Sequence, residues 1–231
     1  MKFDIAMFCE NNKFAAQSYC AIHKVNPDLN IGDITQVDEN VVPDFNTMFG
    51  GSPCQDFSIA GKQNGAMWTC RSCNHSYNPI EAHYLSRDRC PVCGSSDIEK
   101  SRSSLLVEWL RFLRAKKPRF AIYENVKNII GVKFRSTFEL FLAELNEYGY
   151  NVYWAVINAK DCGIPQNRER VYCVIIRKDI DNGKFKFPDP IPLTVMLSDL
   201  MDNDVDSRFY MDTEKIKNMT LINHETGDDN I

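Results

Sequence analysis

Residues 45–58 read Phe45-Asn46-Thr47-Met48-Phe49-Gly50-Gly51-Ser52-Pro53-Cys54-Gln55-Asp56-Phe57-Ser58. The apolar first part of this stretch predicts a strand, and the two glycines predict where the strand ends. Cys54 follows, held between a proline and a glutamine. Loops at strand ends present reactive groups on a rigid frame, so this thiol is interpreted as a candidate nucleophile.

Strand and helix patterns alternate on both sides of this stretch. Apolar residues at helical spacing predict helices over residues 12–25, 103–117 and 136–148. Apolar or β-branched runs predict further strands over residues 3–9, 120–123, 150–157 and 171–176. Strands that alternate with helices of this length predict an α/β protein with a mostly parallel sheet.

Length and composition fit one globular domain with a small appendage. The chain has 231 residues, of which 44% are apolar and 25% are charged. It contains no run of about 18 apolar residues and begins without the apolar core of a signal peptide. We therefore expect no membrane span and a cytoplasmic location, where the nine cysteines are thiols or metal ligands rather than disulfides.

Charge is unevenly distributed along the chain. The net charge of −4 does not indicate nucleic-acid binding. Residues 61–119 are nevertheless net basic, whereas residues 1–60 and 178–231 are acidic. A polyanion would prefer the middle of the chain, although a solvated surface with scattered charge explains the same pattern.

Four cysteines have the spacing C-x2-C-x16-C-x2-C, namely Cys70, Cys73, Cys90 and Cys93. Two such pairs predict a structural zinc site, because four thiolates close a tetrahedral shell. The polar segment of residues 68–100 has too little core to fold unaided, so the metal would stabilise it as a zinc ribbon. We expect a chelator to disorder this segment and leave the main sheet intact. Four ordinary thiols are the alternative, which the paired spacing disfavours.

Three further motifs resemble the DNA (cytosine-5) methyltransferases, of the type found in phages and in restriction–modification systems. Residues 50–63 resemble the nucleophile motif of that family, Glu124-Asn125-Val126 its second catalytic motif, and residues 166–170 its glutamine–arginine motif. Their order and approximate spacing agree, apart from the cysteine-rich segment. The resemblance implies a Rossmann-like, S-adenosylmethionine-dependent methyltransferase sheet with an inserted zinc ribbon, in a bacterial or phage-infected cell.

The resemblance implies a role for each catalytic residue. Cys54 would add to carbon 6 of cytosine, which makes carbon 5 reactive towards a methyl group. Glu124 would protonate N3 or hydrogen-bond to it, and Arg168 or Arg170 would stabilise charge at the exocyclic oxygen. The base must first be flipped out of double-stranded DNA. Taken singly, Cys54 is better explained as a buried small residue, Glu124 as a salt-bridge partner at a strand end, and the two arginines as ordinary surface charges.

The implied cofactor is S-adenosylmethionine. Glu10, with Asn11 beside it, resembles the acidic position that holds the ribose. Asp33 and Ile34 resemble the segment that holds the adenine. Each of these residues alone is also explained as a turn or capping residue.

One expected motif is missing from the sequence. The resemblance implies a Phe-x-Gly-x-Gly loop on a first strand before Glu10, so we expect the sheet to lack that strand. The methyltransferase domain is then residues 1–67 and 101–187, and residues 188–231 begin a target-recognition region. A truncated product, a misassigned start and a split enzyme completed by a partner chain that carries the glycine-rich loop all remain open.

Two other functions also remain open. The first alternative is a DNA-binding or regulatory protein, which would be a catalytically inactive fragment or one subunit of a split methyltransferase. The second alternative is an RNA cytosine-5 methyltransferase with the same chemistry. A measurement of S-adenosylmethionine binding distinguishes the first alternative from an active DNA methyltransferase. Covalent trapping on 5-fluorocytosine in DNA and in RNA distinguishes the second.

Overall fold

The computed structural model describes residues 4–53, 57, 67–101, 105–202 and 204–217. Within these residues three α-helices are described in full, α1 (Lys13–His23), α2 (Leu105–Lys116) and α3 (Arg135–Glu147), and residues 213–217 are also helical. The strands are β1 (Thr47–Gly50), β2 (Trp68–Cys70), β3 (Ser76–Tyr77), β4 (Ile98–Lys100), β5 (Phe120–Val126), β6 (Tyr150–Asn158) and β7 (Glu169–Arg177). Short 3-10 turns connect several of these elements.

The main sheet has the strand order β1-β5-β7-β6. Strands β1 and β5 are parallel, whereas β7 runs antiparallel to both β5 and β6. The α/β assignment is confirmed, but the prediction of a mostly parallel sheet is wrong for the described strands. Residues 159–168 join β6 to β7 without a crossover helix, and such a connection forces an antiparallel pair.

The predicted strand over residues 3–9 is also wrong in the described part of that range. Residues 4–9 contain only an isolated parallel bridge, in which Phe8 pairs with Asn30. The amide of Phe8 donates to the carbonyl of Leu29 at 3.0 Å, and that of Ile31 donates to the carbonyl of Phe8 at 2.9 Å. This short ladder fixes the segment without extending it into a strand.

The core forms where α2 and α3 pack on alternate residues of β5 and β7. From the helices it takes Leu106, Leu110, Leu113, Phe138, Phe141 and Leu145, and from the strands Ala121, Tyr123, Val171, Cys173 and Ile175. Because side chains of a strand alternate between faces, Glu124 and Arg170 lie on the opposite face. The core therefore fixes which side chains of these strands are available for chemistry.

The cysteine-rich segment forms a second sheet, with the strand order β3-β2-β4 and antiparallel pairing. Its buried Trp68 and Tyr77 pack with Val107 of α2. Ile80 belongs to the main core, and Asn78 Nδ2 donates to Thr137 Oγ1 of α3 at 3.0 Å. The segment therefore shares apolar and polar contacts with both helices, and its treatment as a separate domain stays a prediction.

Residues 188–217 follow the main sheet with little regular structure. Ile191 forms an isolated parallel bridge with Cys162, and two 3-10 turns follow at Leu197–Leu200 and Ser207–Phe209. Several apolar side chains of this region are exposed, among them Met196, Leu200, Met201, Phe209 and Tyr210. Across the described residues, every helix is too short or too polar to cross a membrane.

Candidate active site and metal site

Two of the predicted catalytic residues are in contact. Strand β5 continues beyond its predicted end to Val126 and so carries Glu124. Arg170 is the second residue of the neighbouring strand β7, diagonally across the ladder from Glu124, and its Nε lies 3.0 Å from Glu124 Oε1. The carboxylate is 38% exposed and the guanidinium 19%. An acid and a cation thus lie together at one end of the sheet, accessible to a ligand.

Arg168 has a different place. It lies exposed in the loop before β7, where its amide donates to Asn158 Oδ1 at 2.9 Å. Asn158 Nδ2 in turn donates to Asn167 Oδ1 at 2.7 Å. The sequence left Arg168 and Arg170 as equal candidates, and the geometry favours Arg170 as the cation beside Glu124.

Asn158 is a site residue that the sequence analysis missed. Its side chain is buried, and its two amide atoms hold successive residues of the loop that presents the arginines. Next to this loop, Lys127 Nζ lies 2.9 Å from both carboxylate oxygens of Glu169. A polar residue at the end of an otherwise apolar strand was the signal that could have found Asn158.

Cys54 lies outside the described residues together with Gln55 and Asp56, whereas Pro53 before them and Phe57 after them are described. Ser52 and Phe57 are buried. A Cβ atom placed on Gly51 would lie 2.3 Å from the carbonyl oxygen of Glu124. Only glycine permits so close an approach, and the chain before the candidate nucleophile is therefore in contact with the strand that carries the candidate acid.

The four predicted cofactor residues line one groove. The groove has a volume of about 950 Å³ and is bordered by Glu10, Asn11, Asp33 and Ile34, by β1, and by Trp109 and Phe112 of α2. It also reaches Gly51 and Pro53, immediately before Cys54. A groove of this size, mostly apolar with a few polar groups, is of the kind that holds a cofactor.

Asn30, a second residue that the sequence analysis missed, holds the two predicted cofactor segments together. Its Oδ1 accepts from the amides of Glu10 at 3.1 Å and Gly32 at 3.0 Å, and its Nδ2 donates to the carbonyl of Glu10 at 2.9 Å. Asp33 Oδ1 accepts from the amide of Thr35 at 2.9 Å, which is a turn-forming contact. Glu10 and the Asp33 turn are thereby fixed on one wall of the groove.

The four paired cysteines converge. The sulfur atoms of Cys70, Cys73, Cys90 and Cys93 lie within 4.8 Å of one another. Cys70 Sγ is 3.5 Å from Cys93 Sγ, and Cys73 Sγ is 3.6 Å from Cys90 Sγ. Zn–S bonds of about 2.3 Å in a tetrahedron place sulfur atoms roughly 3.8 Å apart, so the donor set and its size fit Zn²⁺.

The two cysteine pairs have the same backbone turn. The amide of Asn74 donates to the carbonyl of Cys70 at 2.8 Å, and the amide of Gly94 donates to that of Cys90 at 2.9 Å. Both Asn74 and Gly94 have positive φ, at 56° and 73°. Such knuckles aim amide groups at the sulfur atoms. Burial opposes ionisation of Cys70, but hydrogen bonds from the amides and thiols around it outweigh burial and lower its pKa to about 7.

Solved structures with the same fold are methyltransferases. The chain superposes on a DNMT2 mutant from Spodoptera frugiperda with a TM-score of 0.60 and 20% identity, covering 95% of this chain and 59% of the other. It superposes on the Dnmt2 methyltransferase of S. pombe with a TM-score of 0.58 and 16% identity, covering 94% of this chain and 57% of the other. At these identities the likeness establishes a methyltransferase fold.

The family follows from the sequence comparisons. The model of the C-5 cytosine-specific DNA methylase family matches residues 1–71 and 92–230. The chain belongs to this family. The unmatched residues 72–91 lie within the segment that carries the paired cysteines.

Curated relatives are bacterial and phage methyltransferases. The orphan methyltransferase M.SPBetaI of Bacillus phage SPbeta is 31% identical, over 94% of this chain and 56% of the relative. The type II methyltransferase M2.ScrFI of Lactococcus lactis subsp. cremoris is 35% identical over 84% and 45%, and M.HhaI of Haemophilus parahaemolyticus is 34% identical over 85% and 50%. The chain thus spans about half the length of these relatives.

Proposed function

We propose that the chain carries the catalytic site of a DNA cytosine-5 methyltransferase and takes double-stranded DNA as its substrate. The contact between Arg170 and Glu124, beside the loop that leads to Cys54, is the observation that carries the proposal. Methylation of cytosine requires a nucleophile, an acid and a cation around one flipped base. Family membership and the bacterial and phage relatives support this choice of substrate.

The residues would share the reaction as follows. The Cys54 thiolate forms a bond to carbon 6, and the electron pair displaced from the ring makes carbon 5 nucleophilic. Glu124 donates a proton or a hydrogen bond at N3, and Arg170 stabilises the negative charge at the exocyclic oxygen. After carbon 5 gains the methyl group it loses its proton to a base, and the bond to the Cys54 sulfur breaks.

S-adenosylmethionine, bound in the groove, would supply the electrophilic methyl group. Glu10 and Asn11 would hold its ribose, and Asp33 and Ile34 would hold its adenine. The groove that these residues share, and its continuation to Pro53, support this assignment. It would bring the methyl group to the side of the sheet where the base must enter.

We also propose that Cys70, Cys73, Cys90 and Cys93 hold a structural Zn²⁺ in an inserted ribbon. A closed shell of four thiolates leaves no position for a substrate, so the metal would stabilise the small sheet rather than take part in methylation. The convergence of the sulfur atoms supports the proposal.

A covalent trap tests the proposed reaction. A pool of duplexes of random sequence, with 5-fluorocytosine in place of cytosine, is mixed with the full chain and S-adenosylmethionine. Fluorine at carbon 5 cannot leave as a proton would, so the bond between Cys54 and carbon 6 persists and a denaturing gel detects it. The matched control is Cys20→Ser, which removes a half-buried thiol on α1.

The expected result is an adduct with wild type and Cys20→Ser, and none with Cys54→Ser. An adduct with Cys54→Ser would refute the mechanism. The absence of both an adduct and measurable binding of S-adenosylmethionine would favour an inactive DNA-binding or regulatory protein or one subunit of a split enzyme. An RNA pool that contains 5-fluorocytosine, tested in parallel, examines the alternative of an RNA methyltransferase. The names of the relatives give no support to a complementing partner chain.

A further inference from the structure

The chain immediately before Cys54 is held by a buried hydrogen-bond network. Ser52 Oγ lies 2.7 Å from Tyr123 Oη, and Asn125 Nδ2 donates to Tyr123 Oη at 2.9 Å and to Ser52 Oγ at 3.1 Å. All three side chains are buried. Burial also raises the pKa of Tyr123 to about 12, so its hydroxyl stays protonated at neutral pH.

The chain after Cys54 is held by a second buried contact. Phe57 is fully buried and packs edge-on against Phe134, with ring centroids 5.1 Å apart. Its carbonyl accepts a hydrogen bond of 2.7 Å from Asn128 Nδ2. Asn128 lies in the 3-10 turn Lys127–Ile130, which directly follows β5.

Both contacts come from one continuous piece of chain. Tyr123 is on β5, Asn128 is in the turn after it, and Glu124 lies between them. Gly51 completes the arrangement, since it lies against the backbone carbonyl of Glu124. Ser52 before Cys54 and Phe57 after it are therefore both in contact with the piece of chain that carries the candidate acid.

We infer that Tyr123, through Ser52, and Asn128, through Phe57, are positioning residues: they hold the described residues before and after Cys54 against the piece of chain that carries Glu124. The inference rests on the proposed function, in which sulfur and carboxylate must act on opposite parts of one ring. Reacting groups lose much of their rate when they are misplaced by about 1 Å, so a clamp of this kind has a kinetic consequence.

Hydrogen exchange tests the clamp without requiring activity. Tyr123→Phe removes the hydroxyl that bonds to Ser52 and Asn125, Asn128→Ala removes the hydrogen bond to the carbonyl of Phe57, and both leave the apolar core in place. We expect the amide of Ser52 to exchange about tenfold faster in Tyr123→Phe, and that of Phe57 in Asn128→Ala, because loss of buried hydrogen bonding favours local opening to about that extent. The matched control is Tyr150→Phe, which removes a buried hydroxyl that donates to the carbonyl of Pro118 at 2.9 Å.

A kinetic readout separates positioning from general stability. In the trapping assay, Tyr123→Phe and Asn128→Ala should lower the rate of adduct formation at saturating DNA about tenfold and leave the half-saturating DNA concentration unchanged. Tyr150→Phe should change neither value. If Tyr123→Phe does not fold, Ser52→Ala removes the same bond from the other side.

The outcomes are distinguishable. If the amides of Ser52 and Phe57 exchange at the wild-type rate in these variants, or equally fast in Tyr150→Phe, the clamp does not exist. If exchange accelerates as expected but wild type forms no adduct, the clamp stands and the proposed function fails. If exchange accelerates and the adduct rate stays at the wild-type value, the two side chains stabilise the loop without positioning Cys54.

Discussion

At the scale of single residues, the pair of Arg170 and Glu124 is informative because it contributes little to stability. Both side chains keep contact with water, and exposed ion pairs stabilise a fold by about 0–1 kcal/mol. Removal of the charge on Arg170 should therefore affect chemistry far more than folding.

The first prediction concerns this charge. Arg170→Gln should lower the rate of adduct formation by about 10²–10³, since it removes the group that stabilises charge on the ring. The free energy of unfolding should change by less than about 1 kcal/mol, measured by chemical denaturation. Arg135→Gln is the control for loss of an ion pair away from the site, because Arg135 pairs with Glu139 at the same distance of 3.0 Å on α3, although on a more exposed surface. Equal rates for the two variants would remove Arg170 from the mechanism.

The residue types of the site could be predicted from sequence, but their contacts could not. The motifs named Glu124, Arg168 and Arg170 without separating the two arginines. The choice between them depends on the register of β7 against β5, which sets Glu124 opposite Tyr172 and Val126 opposite Arg170. Strand register is a long-range property, and no local pattern around residues 166–170 encodes it.

At the scale of elements, the small sheet is joined to α3 by a buried ion pair. Arg87 Nη2 lies 2.6 Å from Glu144 Oε2, and both side chains are buried. The hydroxyl of Tyr148 also donates to Glu144. Lys100 of β4 reaches Glu108 of α2 at 3.3 Å. The ribbon is thus attached by charge as well as by apolar packing.

The second prediction concerns this attachment. Arg87→Met should destabilise the chain by about 3–5 kcal/mol, because it leaves the carboxylate of Glu144 buried without its partner. Arg71→Met should cost less than about 1 kcal/mol, since Arg71 pairs with Asp97 and Glu99 at an exposed surface. Thermal and denaturant unfolding measure both. The double variant Arg87→Met with Glu144→Gln should recover part of the loss, and a failure to recover any would contradict a charge-based cause.

At the scale of the whole molecule, the cysteine-rich segment contributes to the main core and forms a second apolar cluster with α2. Ile80 packs among residues of the main core, and Trp68 and Tyr77 pack with Val107. The sequence suggested an appendage whose loss would leave the main sheet intact. The packing argues against that expectation, because unfolding the ribbon would expose α2 and part of the core.

The third prediction follows from this shared core. Removal of zinc by a chelator should lower the midpoint of thermal unfolding by at least about 5 °C, in one transition that includes the main sheet. Calorimetry with and without added Zn²⁺ measures the shift, and the variant Cys73→Ser/Cys93→Ser should no longer respond to the metal. Two separated transitions would restore the interpretation of the ribbon as an independent appendage.

Helices and fold class could be predicted from sequence because their signals are local. The apolar stripes of α2 and α3 and the strand patterns after them indicated an α/β protein, and all three predicted helices are present within a few residues of their expected bounds. The direction of the strands could not be predicted, since it depends on how β7 inserts between β5 and β6. The contact between the ribbon and α3 could not be predicted either, because the polar sequence around Arg87 is typical of an exposed surface.

The approach of Gly51 to the carbonyl of Glu124 has a consequence for how this chain can vary. In a library fully randomised at codon 51 and captured on 5-fluorocytosine DNA, we expect glycine alone to return, because any Cβ would displace backbone. Gly32 has a φ of 74° and open space around it. In a second library, randomised at codon 32, we therefore expect asparagine to be recovered as well as glycine. Backbone geometry therefore restricts position 51 to glycine, whereas neighbouring positions of the site can accept other residue types.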